Sequence, residues 1–485
     1  MGTEYTRGRP AQRGQVVLLR GYSEVNEDVV EDLWQILHDK QPDTFFTHGG
    51  NLVRRQGRLL KPLKAGELGT AVKMAVTFKV TFPSRGRWKT EMKPPTKSQC
   101  DAMFAAAGSC CRSIRGVASG PFMSPAGELV RDAGYDEHSQ YLLVPGRGSS
   151  KAVPAAVSEM LTVPCASKGD RAHWLGLCLL PVMRPAFHHP VPLHIITCPE
   201  RPSLAALAAK AIGALVGGTP PTAVLIDSWT AESDRQLVAG VIEGGGVVLL
   251  PRVPRNLLHE SKMLLKLVSC EAPFGVRPVK EKNLYHVVEA PLILATAESV
   301  DLGEATCRVA VPITITGTEK ELFASEKMLR RVLEAPYPYL DALATASVDA
   351  LPQLQETSHK LEGFEYWSGF VGGVAGALGV GDGWLDEEHR PIPLANADLI
   401  EVFEHWPEVN DGWLPAEAVL GEIDRLCPPH LMGLLDHTGH HGRTVALGKL
   451  LTTLAMHGGA MRGWCLERRV VDGAALYRPR SGTTG

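Results

Sequence analysis

The stretch Leu193–Pro221, LHIITCPERPSLAALAAKAIGALVGGTPP, decides how this chain is read. An apolar run, LHIIT, breaks at a short polar turn, and an Ala- and Leu-rich helical segment follows. That is the strand–turn–helix layout of a phosphate-binding loop. A working loop reads GxxxxGK[ST]. Its glycines let backbone N–H groups surround the phosphates, its lysine neutralises them, and its hydroxyl binds magnesium. With Ser203 at the hydroxyl position, Pro202 stands where lysine belongs, Arg201 at the second glycine and Ile196 at the first. Proline brings neither an amine nor a backbone donor. Glu200 adds negative charge where phosphate would sit, and Arg201 offers at most a displaced cation. Leu204, Leu207, Ile212 and Leu215 give the helix an apolar face that packs without any ligand.

Two more apolar segments carry the same message. GVVLLPRVP reaches Pro251 and Arg252 where an acidic residue is wanted to position magnesium and water. PLILATAESVDL reaches Thr296, Ala297 and Glu298 where an Asn would sense the γ-phosphate. Three losses together predict a nucleotide-type fold without a nucleotide, so neither ATP nor magnesium is expected as a cofactor.

Working outward, VPLHIIT, TAVLID, GGVVLLPR, PLILATA and RVAVPITIT alternate with helical patterns between residues 166 and 320. The expected class there is α/β, a mostly parallel sheet with helices on both faces. Residues 1–165 read as a mixed α/β module. Val29, Leu33 and Leu37 mark a helix, Gly49–Gly50 a hairpin, and Ala71–Phe82 has strand composition. A Pro-broken segment after it forms a basic loop with Arg85, Arg87, Lys89, Lys93 and Lys97. Residues 321–411 read as helical. Residues 412–485 hold two helical segments and then a hairpin cue at Asp472–Gly473.

Composition narrows the class. The chain has 485 residues with 44% hydrophobic and 21% charged, enough for folded cores rather than disorder. A net charge of -3 gives no overall nucleic-acid signature, so any basic surface is local. The first residues lack the apolar centre of a signal peptide, and no run suffices to span a bilayer, which leads to an expectation of a cytoplasmic protein without membrane contact. Ten cysteines are scattered rather than spaced as metal ligands. His437 and His441 have helical i, i+4 spacing, but Gly439 and Gly442 weaken a helix and no HExxH glutamate is present, so no metal site is expected.

From about Thr44 onward the chain resembles the helicase portion of primase–helicases of plasmids, prophages and integrative elements, AAA+ proteins related to superfamily 3. The likeness lies in FFTHGGNLVRR, VRDAGYDEHSQYLLVP, GGGVVLLPRV, LILATAESVDL and LEGFEYWSGFVGGVAGALGV, in that order. The ending, RTVALGKLL and CLERRVVDGAALYRP, looks like a winged-helix C-terminus. No position matches the family's Walker lysine, Walker aspartate or sensor asparagine, and Arg308 lacks the usual paired arginine finger. The resemblance implies an ATPase-dead AAA+ shape close to DNA replication, acting as an oligomer or beside an active helicase or replication protein.

The tail supplies a DNA-binding expectation of its own. Arg443, Lys449, Arg462, Arg468, Arg469, Arg478 and Arg480 face only Glu467 and Asp472 within residues 443–480. A helix carrying Arg443, Thr444 and Lys449, followed by a basic hairpin, can enter a major groove and grip backbone phosphates. A charged face on a protein–protein module has the same composition. Three functions stay open: a DNA-associated platform, a divergent ATP-dependent helicase or loader, and a subunit that joins or inhibits an active helicase.

Overall fold

Five short apolar runs meet in one sheet. The computed structural model describes residues 16–19, 25, 27–84, 87–145, 156–186, 189–226, 230–243, 246–253, 262–269, 274–276, 285–287, 290–297, 309–354, 361, 363–380, 394–406, 412–426, 428, 431–432, 435, 440–456, 464–471 and 474–481. The strands are β1 (Leu193–Thr197), β2 (Thr222–Ala223), β3 (Val247–Leu250), β4 (Leu292–Ala297) and β5 (Ala310–Thr314). They lie in the order β2-β3-β4-β1-β5, and every pairing is parallel.

Every residue of β1, β3 and β4 is buried. Side chains alternate across a strand, so both faces of this sheet are covered. Among the helices, α1 (Lys168–Met183) packs on β5, α2 (Pro202–Gly217) on β1, β3 and β4, and α3 (Ala231–Glu243) on β3. The chain leaves β1 through α2 toward the β2 edge, whereas from β4 it crosses to β5 on the other side. The carboxyl end of β1 is therefore where connections diverge, the place at which open α/β sheets form a crevice. Next come α4 (Glu319–Glu334), α5 (Pro336–Ala350) and α6 (Glu365–Ala375), of which α4 and α5 pack against α2.

The amino-terminal residues form smaller sheets around a separate apolar cluster that includes Trp34, Leu37, Leu68 and Phe78. Phe45–His48 pairs antiparallel with Asn51–Gln56 across Gly49 and Gly50, whose φ values of 57° and 78° suit glycine. The strand expected over Ala71–Phe82 begins only at Thr77, because Ala65–Ala75 is a helix. Its first turn is capped by Glu67 Oε2, which accepts from the Lys64 amide at 2.9 Å. Leu68, Ala71, Val72 and Ala75 then bury one helical face, so period 3.6 overrides the local strand composition.

A third apolar cluster, including Phe403, Leu420, Ile423, Leu447 and Tyr477, organises the C-terminal residues. It joins α7 (Leu394–Glu404), α8 (Ala416–Leu426) and α9 (His440–Met456) to a small antiparallel sheet. The sheet contains β6 (Leu414–Pro415), β7 (Trp464–Val471) and β8 (Ala474–Ser481) in the order β6-β8-β7. Val471 pairs with Ala474, which brackets Asp472–Gly473. Among the described residues, no helix is long and apolar enough to cross a membrane.

One buried base makes stability pH-dependent. His194 on central β1 is fully buried, with the Trp367 ring 5.6 Å away, and its pKa falls to about 3 through burial and then the charge of His173. Between that value and the ordinary 6.5 the unfolded chain binds one more proton at this site, so its stabilisation is complete above pH 6.5 and is lost as pH falls. Urea melts between pH 6 and 4 should lose about 1.4 kcal/mol per pH unit from His194, and His194→Leu should remove that slope. An unchanged slope in the variant would show that His194 is not the group responsible.

Candidate functional site

Where β1 stops and α2 starts fixes what the phosphate-type turn can hold. β1 ends at Thr197 and α2 opens at Pro202, which leaves only Cys198–Arg201 between them. Ile196, aligned with the first glycine, is a fully buried strand residue. The four-residue link is shorter than the loop that a GxxxxGK[ST] pattern wraps around a phosphate, and two amides at its helical end are engaged. The Arg201 amide donates to Cys198 O at 3.1 Å, and the Leu204 amide donates to Arg201 O at 2.8 Å. Pro202 has no amide proton.

Side chains finish the closure. Thr316 Oγ1 donates to Glu200 Oε1, and Arg201 Nη2 reaches Glu326 Oε2 of α4 at 2.8 Å. Arg330 donates to the other oxygen of Glu326 from Nε at 3.1 Å and from Nη2 at 2.7 Å. The Thr316 hydroxyl, then Glu200's own amide, hold the Glu200 carboxyl below its ordinary range. Arg330, then the charge of Arg201, do the same for Glu326. The crevice thus carries two ionised carboxylates of its own, and the one displaced cation, Arg201, is paired with the second.

Neighbouring strand ends are tied in the same way. Thr197 Oγ1 donates to Thr314 Oγ1 at 3.2 Å, while the Thr314 amide donates to Asp170 Oδ1 at 2.7 Å. Arg252 follows Pro251 with φ of 53°, and its amide donates to Thr296 Oγ1 at 3.0 Å. Thr296 is 3% exposed and serves this turn from inside β4. Ser203 is the second residue of α2. Glu298 and Arg308 lie outside the described residues.

The basic residues of the tail divide between two faces. Directly opposed residues of an antiparallel pair share a face. Arg468 opposes Tyr477, whose hydroxyl donates to Gly448 O of α9 at 3.0 Å, so Arg468 stands on the α9 side of the hairpin. Lys449 and Arg468 are both exposed there. Arg469 and Arg478 occupy the opposite face, stacked on Trp413 at 4.3 Å and 4.6 Å. Glu467 binds Arg478 at 2.6 Å and Arg480 at 2.9 Å. The expected phosphate-gripping set Arg468, Arg469 and Arg478 is therefore not brought to one surface. Arg443 pairs with Asp424, and Thr444 is half-buried in α9. Arg462 and His437 lie outside the described residues.

The basic loop also changes character. Arg87–Lys93 is a strand paired antiparallel with Thr77–Ser84, since Trp88, Thr90 and Met92 alternate as strand formers. Lys89 and Lys93 both approach Glu91, at 2.6 Å and 3.6 Å. Lys97 starts the helix Lys97–Ala105, and Arg85 lies outside the described residues. Residue types alone did not bring out Thr316, Glu326, Arg330 or Trp413. The i, i+4 spacing of Glu326 and Arg330 was the available signal for that pair.

No family model matches the chain, and no curated protein matches it. Solved structures do. An inhibitor-bound JCV helicase is similar at 15% identity and a TM-score of 0.27, over 40% of this chain and 55% of that one. An apo structure of the NrS-1 C-terminal region is similar at 12% identity and a TM-score of 0.35, over 83% of this chain and 93% of that one. The chain thus spans about half the length of the JCV helicase chain.

Restoring a lysine should not restore the site. Pro202→Lys supplies the missing charge but leaves four residues between β1 and α2. Titration of this variant with a fluorescent ATP analogue and magnesium should give the same flat response as the unaltered protein. Saturable micromolar binding would mean that the residue type, not the length of the turn, closes the site.

Proposed function

We propose that this chain is a DNA-associated, helicase-like protein of AAA+ type that has lost nucleotide chemistry and works as a docking platform in the replication or maintenance of a mobile element. The observation that carries this reading is the short turn after β1, set in a parallel sheet at whose carboxyl end Glu200 bonds Thr316 and Arg201 pairs with Glu326. An ATPase needs that crevice open to a triphosphate and its metal. A platform needs only the surrounding sheet and helices.

In this reading residues 1–165 are an amino-terminal module, 166–320 the inert core, 321–411 a helical region and 412–485 a winged helix. The core offers a surface to a second copy of the chain or to an active helicase. The winged helix meets DNA on the face shared by α9 and Arg468, with Lys449 nearest the groove. The opposite face spends much of its charge internally, since Glu467 binds both Arg478 and Arg480.

The two faces can be told apart by salt dependence. In fluorescence anisotropy of duplex DNA with the full chain, Lys449→Ala with Arg468→Ala should weaken binding to every sequence and flatten the salt slope by about 0.9 per lost phosphate contact. Arg469→Ala with Arg478→Ala should leave that slope unchanged. The reverse ranking would move the DNA to the Trp413 face, and no duplex binding by the unaltered chain would defeat the DNA reading.

A further inference from the structure

A cavity of about 160 Å³ lies at the opposite end of the sheet from the closed turn, between the amino-terminal residues and the core. The end of α2, the start of β3 and the hairpin turn carrying Arg58 enclose it. A cavity near 150 Å³ takes a ligand the size of benzene, so there is room for a small metabolite. Its described lining includes Arg58, Arg115, Arg184 and His48 and no Asp or Glu.

Three glycines make space for the lining side chains. A Cβ on Gly218 would fall 1.1 Å from Arg58 Nη1, and that residue has φ of 68°. A Cβ on Gly246, with φ of 83°, would crowd Arg184 Nη2 at 3.2 Å, and one on Gly116 would strike the Tyr141 ring at 2.7 Å. Arg115 and Arg184 are 5% and 7% exposed. Arg115 lies 5.5 Å over the Tyr141 ring and donates to Ser139 O and Pro185 O at 3.2 Å and 3.3 Å. Arg184 donates to Gly246 O at 3.4 Å and also to Ala290 O. These carbonyls fix the two guanidiniums in place at the cavity wall.

We infer that this cavity binds a small multiply charged oxyanion, the phosphoryl or carboxylate end of a metabolite, clamped between Arg58 and Arg115 of the amino-terminal residues and Arg184 of the core. Planar guanidiniums match both anion types in bidentate fashion. Bound there, the anion joins two parts of the chain and stabilises the folded state by mass action. The site is independent of the closed turn and of the DNA reading.

Thermal melts of the full chain test it with pyrophosphate and with propane-1,2,3-tricarboxylate, each against sodium chloride at matched ionic strength. Either anion should raise the melting temperature by several degrees more than chloride does, and the larger shift identifies the phosphoryl or the carboxylate source. Arg58→Gln should abolish the shift without lowering the ligand-free melt, since Arg58 sits in a half-exposed turn. Gly218→Ala, which displaces Arg58, should abolish it too, and Arg58→Lys should keep part of it. A shift no larger than that of chloride, or a full shift in Arg58→Gln, would overturn the inference.

Discussion

The tightness of the link between β1 and α2 governs everything else in the core. β1 sits between β4 and β5 and is buried along its whole length, so its carboxyl end cannot move outward to lengthen the turn. Four residues must reverse the chain, and a proline in the first turn of α2 fixes φ at the start of the helix. The ion pair from Arg201 to Glu326 does not force this geometry. Its partners are 36% and 19% exposed, and pairs of that kind contribute about 0–1 kcal/mol. Closure comes from chain length, and the charges occupy space that the short turn leaves.

That ordering of effects explains how this parallel sheet can stand without a nucleotide at its carboxyl end. Helix termini of this kind attract anions because their amides are unsatisfied. Here the Leu204 amide bonds Arg201 O within the turn, Pro202 has no amide proton, and Glu200 places a carboxylate two residues before the helix. The apolar face of α2 does the remaining work, with Leu204, Ala208, Ile212 and Leu215 all buried against the sheet. Nothing in the packing of α2 requires a nucleotide for stability.

Much of this was legible in sequence, and the failures have physical causes. The parallel core could be read because its strands are continuous apolar runs separated by helical periods. The missing lysine at Pro202 could be read directly, but the length of the turn could not. It depends on Ile196 staying in the strand, which pairing with Thr296 and Ile313 determines. Ala71–Ala75 misled because its small and β-branched residues fit either period, and a cap at Lys64–Glu67 chose the helix. Charge alone groups Arg468 with Arg469, whereas alternation in a hairpin sends adjacent residues to opposite faces. The cavity at Arg58 was invisible because its arginines come from distant parts of the chain and meet only through three glycines.

The central claim is that the crevice after β1 is closed by the chain itself. Isothermal titration of the unaltered full chain with ATP and magnesium, in the presence and absence of DNA, tests this most directly. The account predicts no heat of binding at millimolar ATP and no phosphate release with DNA present. Saturable one-site binding that Glu326→Ala strengthens, or DNA-stimulated hydrolysis that Arg201→Ala abolishes, would contradict it.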